Sequence, residues 1–338
     1  MGPMKAPESL PALEDRFLPP PGWRWHTFTN PQGRKIRFGT VAPASRVPDA
    51  VVLMAPGLSE FGEKYFELAH DLLARNLSLW VIDWQGQGLS DRYIKNYPHK
   101  RHVSSFDEDI ADFHYFIMEY VKHSAVHPDV GRIPLVLMGH SMGGNIGLRY
   151  LHRHPDTFAC AAFTSPMLGI KDVQMIPQPI RLTLTEILSI FAGNSYVFGG
   201  SDWTATSRAK PGHNIFSSDP VRDKVHNAWC LHNPALQIGS PTFMWLYEAV
   251  KSCAYLAQPK ILKGIKTPLL LTLAEKDTII DNGMIRRAAK LLPSAHLVEL
   301  PGAHHEIIME KDTVRNHFLM AFEDLLTQTA VRGQTKPF

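Results

Sequence analysis

The chain has 338 residues, 44% of them apolar and 20% charged, the balance of a soluble globular protein. That length suits one large α/β domain carrying an insertion, or two ordinary domains. A formal net charge of +3, with no run of Lys or Arg above a scattered background, argues against a dedicated nucleic-acid binder, and no nucleic-acid partner is expected.

Three widely spaced cysteines, Cys160, Cys230 and Cys253, form neither a C-x-x-C pair nor a disulfide framework. They read as buried thiols in a reducing compartment. The first residues, MGPMKAPESLPALEDRFLPPPGWRWH, carry acids and prolines where a secretory signal would carry an apolar run. No stretch approaches the roughly 20 apolar residues of a membrane span. The expected location is cytoplasmic.

Residues 1–22 are Pro-rich and are expected to form an irregular arm. WRWHTFT (23–29) and RKIRFGTVAP (34–43) alternate in polarity around the turn signal NPQG and predict a hairpin. AVVLMAPG (50–57) is an apolar run that predicts a buried strand. KYFELAHDLLARN (64–76) has helical spacing, and LSLWVIDWQGQGLSD (77–91) is another apolar run ending in a Gly-rich loop. In SFDEDIADFHYFIMEYVKHS (105–124), Ser105 followed by Glu108 is a capping box that starts a helix. RIPLVLMGH (132–140) predicts a third buried strand, Met142–His152 a helix, and FACAAFTSP (158–166) a fourth strand.

The alternation then stops for about a hundred residues. It resumes with strands at TPLLLTLAEKD (267–277) and AHLVELPGAHHE (295–306), and helices at 283–293 and 311–328. Strand and helix in turn imply a mostly parallel sheet with helices on both faces. The interruption contains TLTEILSIFAG and PTFMWLYEAVKSCAYLAQ and reads as a helical insertion between two strands of one sheet. The expected organisation is a core of residues 23–166 and 267–338 with a helical cap, 167–266. There is no internal repeat.

GHSMG (139–143) is G-x-S-x-G placed between a predicted strand and a predicted helix. Such a turn is sharp enough that side chains two positions either side of the serine would collide, hence Gly139 and Gly143. A serine hydroxyl is a weak nucleophile at neutral pH. It needs a base to take its proton and a carboxylate to orient that base. Asp277 follows one later strand, and His304 and His305 follow the next, so Ser141, an acid and a base can meet at one edge of the sheet. Glu275 and Asp281 compete for the acid role, but Asp277 stands directly after its strand. The spacing Gly302-x-x-His305 favours His305 as base.

Two donors are needed for a developing oxyanion. The N–H of Met142, next after Ser141, is one. The N–H of Leu58, in the loop after the strand at 50–57, is the other. DWQGQGLSD (83–91) lacks the lysine and third glycine of a phosphate loop and reads as a tight turn beside the pocket. Seventeen histidines include no metal-ligand spacing, so no metal and no cofactor is expected.

Taken together, PGLSEFGEKYFELA, VIDWQGQGLSDR, GHSMGGNIGLRY and GAHHEI resemble the bacterial lysophospholipase and monoacylglycerol lipase family of α/β-hydrolases, over roughly residues 30–325. The resemblance implies the α/β-hydrolase fold, with Ser141 as nucleophile, Asp277 as acid, His305 as base, and oxyanion amides at Leu58 and Met142. It implies hydrolysis of a carboxylic ester of a small molecule or monoacyl lipid, without a cofactor, and transient contact with a membrane surface. Monoacylglycerol lipases usually begin the oxyanion loop with His-Gly, whereas this chain has Pro56-Gly57, nearer the lysophospholipase branch. A thioesterase, peptidase or acyltransferase would use the same triad, and a non-catalytic lipid binder would share the fold. Apolar cap segments such as PTFMWLY would line an acyl pocket or form the cap's own core.

Overall fold

In the computed structural model, residues 10–206, 208 and 215–329 are described. The remainder of the N-terminal arm, residues 1–9, lies outside them, as do seven residues of the 167–266 insertion (207 and 209–214).

Eight strands form one sheet. They are β1 (Arg24–Thr29), β2 (Lys35–Val41), β3 (Ala50–Ala55), β4 (Leu77–Ile82), β5 (Leu135–His140), β6 (Cys160–Thr164), β7 (Leu269–Ala274) and β8 (Ala295–Leu300). Their order is β1-β2-β4-β3-β5-β6-β7-β8. The β1–β2 hairpin is antiparallel, and β2 joins β4 antiparallel. All other pairs are parallel. This is the mostly parallel α/β-hydrolase sheet, and the apolar runs explain it. Every residue of β3, β5, β6 and β7 is buried, so these strands are covered on both faces.

Side chains alternate between the two faces. Val51, Leu53 and Ala55 join a core with Phe106, Ile110 and Phe113 of α2 (Phe106–Phe116) and Ile146 of α3 (Met142–Arg153). Ala50, Val52 and Met54 face the other core, filled by Leu68 and Leu72 of α1 (Phe66–Ala74) and by Phe318 and Phe322 of the C-terminal helix Asp312–Gln328. Ser105 caps α2 by accepting from Asp107 N at 3.0 Å. The predicted single helix over 105–124 differs in one respect: its middle, Ile117–Val121, is a π turn. The extra residue in that turn leaves Phe113, Phe116, Ile117 and Val121 all fully buried.

Between β6 and β7 run α4 (Gln178–Ala192), α5 (Arg222–His232) and α6 (Phe243–Leu256). Helix α4 packs on α6 with an inverted pattern. Its buried residues are Arg181, Thr185 and Ser189, while Ile180, Ile187, Ile190 and Phe191 are exposed. The Thr185 and Ser189 hydroxyls donate to carbonyls of their own helix. Helix α5 is tied to α1 by Arg222, which donates two bonds of 2.8 Å to Glu67. Before β1, Phe17 sits in one 3₁₀ turn (Asp15–Phe17) and is buried among Phe61, Phe66 and Trp229. Among the described residues no helix is long and apolar enough to cross a membrane.

Strand registers bring several chain positions to one edge of the sheet. Ala55 pairs with Gly139, His140 with Thr164, Thr164 with Thr272, and Ala274 with Leu300. The loops that follow these ends therefore converge. Helix α3 must pass close to β3 to begin there, and a Cβ on Gly143 would lie 2.0 Å from the Ala55 carbonyl oxygen. Backbone on both sides cannot yield. A Gly143→Ala variant is expected to lose about 3 kcal/mol of stability or more, at the upper end of overpacking costs. Gly33→Ala, with open space around its Cβ but a φ of +78°, is expected to lose only about 1–2 kcal/mol from its left-handed backbone. Thermal unfolding of both variants checks this. Equal losses would contradict it.

Candidate active site

Ser141 is the single residue between β5 and α3, with φ +50° and ψ −114°. A left-handed backbone at a residue with a side chain is strained and persists only when its surroundings hold it. Here Ser141 N donates to Thr164 O at 3.0 Å, and Ser141 O accepts from Asn145 N (3.1 Å) and Met167 N (2.9 Å). The strain turns the side chain off the end of the sheet and into a cavity.

His305 and Asp277 reach the same place from the loops after β8 and β7. His305 Nε2 lies 3.0 Å from Ser141 Oγ. His305 Nδ1 donates to Asp277 Oδ2 at 2.6 Å. The other Asp277 oxygen accepts from the N–H groups of Ile279 (2.8 Å) and Ile280 (3.0 Å). Burial opposes the charge of Asp277, but the His305 imidazole and these two amides outweigh it and hold its pKa below the ordinary carboxylate value. A carboxylate fixed on Nδ1 leaves Nε2 unprotonated and facing the serine, the tautomer a general base needs.

The neighbouring candidates have other contacts. Glu275 accepts from Gly302 N at 2.7 Å, and Asp281 caps the helix Asn282–Leu291 by accepting from Gly283 N at 2.8 Å. His304 is only half-buried; its backbone N–H donates to Glu310 Oε1 at 2.7 Å. Of the eight positions weighed, the structure brings five together: Ser141, Asp277, His305, Leu58 and Met142. Among the described residues, no acceptor takes the Leu58 N–H. Met142 is the first residue of α3, where a backbone N–H has no intrahelical acceptor. Both amides are free to donate.

Beside this group lies a buried charge cluster that the sequence reading did not find. Lys64 Nζ is 2.6 Å from Glu60 Oε1 and 2.6 Å from Glu306 Oε1, and Arg208 also pairs with Glu306. Burial opposes both carboxylate charges, but the facing cations keep both pKa values low. The His140 ring lies 4.8 Å from that of His305, centroid to centroid, tilted by 57°. Burial pushes its pKa down to about 4, so it adds no positive charge next to His305 at neutral pH. Glu60, His140 and Glu306 place ligand-type atoms within 4.8 Å of one another, the set that would hold a cation here. The Lys64 ammonium already bridges the two carboxylates. The only sequence signals were a Glu and a Lys four apart in the loop after β3 and a Glu directly after His305.

The cavity measures about 750 Å³. Leu58, Ser141 and His305 form its floor, while Ile176, Leu188, Phe243 and Trp245 wall it from the insertion. Trp245 is also buried, and its indole N–H donates to Met142 Sδ at 3.4 Å. Packing and pocket wall are thus one surface.

Comparison with known proteins agrees with this architecture. Residues 46–312 match the Hydrolase_4 family, described as serine aminopeptidase, S33. The lysophospholipase L2 of Escherichia coli K12 is 33% identical over 313 residues, covering 89% of this chain and 86% of that protein. Human monoglyceride lipase is 27% identical over 298 residues, covering 86% of each. In fold, the chain is similar to a soluble variant of the Saccharomyces cerevisiae monoglyceride lipase in complex with a substrate analogue (TM-score 0.70, 20% identity, 97% of each chain). It is likewise similar to a thermostable carboxyl esterase from Bacillus coagulans in complex with glycerol (TM-score 0.72, 17% identity, 91% of this chain and 99% of that one). The chain belongs to the Hydrolase_4 (serine aminopeptidase, S33) family of α/β-hydrolases and stands there with the bacterial lysophospholipases and monoacylglycerol lipases.

Proposed function

We propose that this protein hydrolyses carboxylic esters of monoacyl lipids through an acyl-enzyme on Ser141. The observation that carries the reading is the 3.0 Å contact between His305 Nε2 and Ser141 Oγ at the floor of a largely apolar cavity. His305 takes the hydroxyl proton as Oγ attacks the ester carbonyl. The N–H groups of Leu58 and Met142 stabilise the oxyanion. The C–O bond to the alcohol breaks, and the alcohol leaves with the proton from His305. Water, deprotonated by His305, then attacks the acyl-enzyme and releases the fatty acid and Ser141. The relatives' names supply the substrate class: one is a lysophospholipase and others are monoglyceride lipases.

In this reading residues 167–266 act as a cap over the strand ends. Exposed Ile180, Ile187, Ile190 and Phe191 on α4 continue to Leu184 and Phe198, which are both exposed and part of the cavity wall. An apolar patch at a lipid-binding mouth suits transient seating on a membrane surface. The three cysteines, free and buried, suit a cytoplasmic location.

Replacing Ser141 or His305 by Ala is expected to lower kcat by about 10⁴-fold or more, and Asp277→Asn by about 10⁴-fold through the wrong imidazole tautomer. His304→Ala is expected to keep most activity. Loss in His304→Ala with survival of His305→Ala would reassign the base.

A panel of lysophospholipids, monoglycerides, diacyl lipids, acyl thioesters and aminoacyl amides tests the substrate class. With one chain buried in the cavity, kcat/KM should rise about fourfold per methylene, the value of about 0.8 kcal/mol each, up to a limit. Diacyl lipids should be poor substrates for want of room. A flat length profile, or faster turnover of amides or thioesters, would contradict the reading.

A further inference from the structure

We propose that Gln87 is a positioning residue that sets the oxyanion loop, with Arg101 holding Gln87 and Met142 in one frame. The inference rests on the reading of Leu58 and Met142 as oxyanion donors.

Gln87 lies in the Gly-rich turn after β4, between Gly86 (φ +87°) and Gly88 (φ +57°), and is fully buried. It does not line the cavity and so touches no substrate. Its amide is fully used. Nε2 donates to Gly57 O and Glu60 O, each at 2.8 Å. Oε1 accepts from Ser59 N at 3.3 Å and from Arg101 Nε at 2.8 Å. Two donors and two lone pairs are the whole capacity of the group, and three of the four bonds go to residues 57–60.

The orientation is forced by chemistry. A guanidinium only donates, so the amide oxygen must face Arg101 and the NH₂ must face the two carbonyls. The bond from the charged guanidinium is the stronger kind.

The loop that Gln87 grips is itself strained: Ser59 has φ +61°, which a residue with a side chain keeps only when held. Gly57 N donates to Glu60 Oε2 at 2.5 Å and Glu60 N to Gly57 O at 3.4 Å. Across the four consecutive amides Gly57 to Glu60, only the Leu58 N–H lacks an acceptor among the described residues. The arrangement ties down three N–H groups and leaves the one that faces the site.

Arg101 extends the frame to the second donor. It is fully buried, and its Nη2 lies 3.8 Å from Met142 Sδ, the sulfur that also accepts from Trp245. Its backbone bonds to Ser240 O and Thr242 N just before α6. One side chain thus links Gln87, which grips the loop carrying Leu58, to the residue carrying the other amide.

The test is Gln87→Met, which keeps length and apolar volume but removes all four bonds. Folded variant is expected to lose about 10²-fold in kcat, the effect of a displacement near 1 Å, with KM and the pH profile unchanged. Phosphonylation of Ser141 by a fluorophosphonate should slow by the same factor, because it builds the same oxygen. Ser59→Gly added to Gln87→Met should recover part of the rate by removing the strain at φ +61°. Wild-type kcat in Gln87→Met, or a rise in KM at constant kcat, would overturn the proposal. If Gln87→Met does not fold, Arg101→Lys decides: it keeps the charge but cannot reach Gln87 and Met142 together, so kcat should fall at constant KM, and wild-type kcat would overturn the proposal. Ser141→Ala is run alongside. Activity in that variant would overturn the catalytic reading itself, whereas an inactive Ser141→Ala with an unimpaired Gln87→Met would overturn this inference alone.

Discussion

The structure depends on one backbone constraint: Ser141 held at φ +50° between a buried strand and a buried helix. That conformation is unfavourable in isolation. It is maintained because three hydrogen bonds fix both sides of the residue and because helix α3 comes within contact of β3 at Gly143. Close packing in turn needs the continuous apolar strands of the sheet centre, which bury both faces and align their ends in register. The serine hydroxyl is presented where it is because the sheet, the helix and two glycines leave it no other direction.

Around this point the fold gathers charge and hides it. Lys64 sits between Glu60 and Glu306, Arg37 between Glu63 and Asp83, and Arg222 on Glu67. Each pair is buried, so breaking one would strand a charge, a larger loss than the intact pair gains. These contacts join the loop after β3 and α1 to the loop after His305 and to α5 of the insertion. They fix loops and helix ends, with Arg37 anchoring Glu63 and Asp83 to β2. This suits their position, because loops lack the sheet's hydrogen-bond ladder and need side chains to fix them. Gln87 and Arg101 belong to the same layer of support.

Much of this was legible in the sequence wherever a local signal exists. The runs at 50–55, 135–140, 160–164 and 269–274 are apolar throughout because both faces are covered, and Ser105 with Glu108 marks a helix start because a first turn needs an acceptor. G-x-S-x-G is readable because steric collision dictates its glycines. Position after a strand end does not separate the acids, because the strand stops at Ala274, earlier than expected, and Glu275 rather than Asp277 follows it directly. Their contacts do, since Glu275 takes a loop amide and Asp281 caps a helix while Asp277 meets His305. Other features have no local period. The π turn at 117–121 answers to the packing of Phe116 and Ile117 against the sheet. Helix α4 buries Thr185 and Ser189, whose hydroxyls are satisfied by its own carbonyls, and exposes Ile180, Ile187, Ile190 and Phe191, the reverse of the usual pattern. The Lys64 bridge joins residues from nearly opposite ends of the chain, and the role of Gln87 lies in three backbone groups far from it in sequence. Such pairings are made only when the strand ends converge.

The central claim is that Ser141, His305, Leu58 and Met142 act on one carbonyl group. A crystal structure of the protein after reaction with an alkyl phosphonate tests it most directly. Phosphorus is expected on Ser141 Oγ, with the phosphoryl oxygen about 2.7–3.1 Å from both the Leu58 and Met142 nitrogens and the alkyl chain running along Ile176 and Phe243. Phosphorus on another side chain, or a phosphoryl oxygen turned away from both amides, would contradict it.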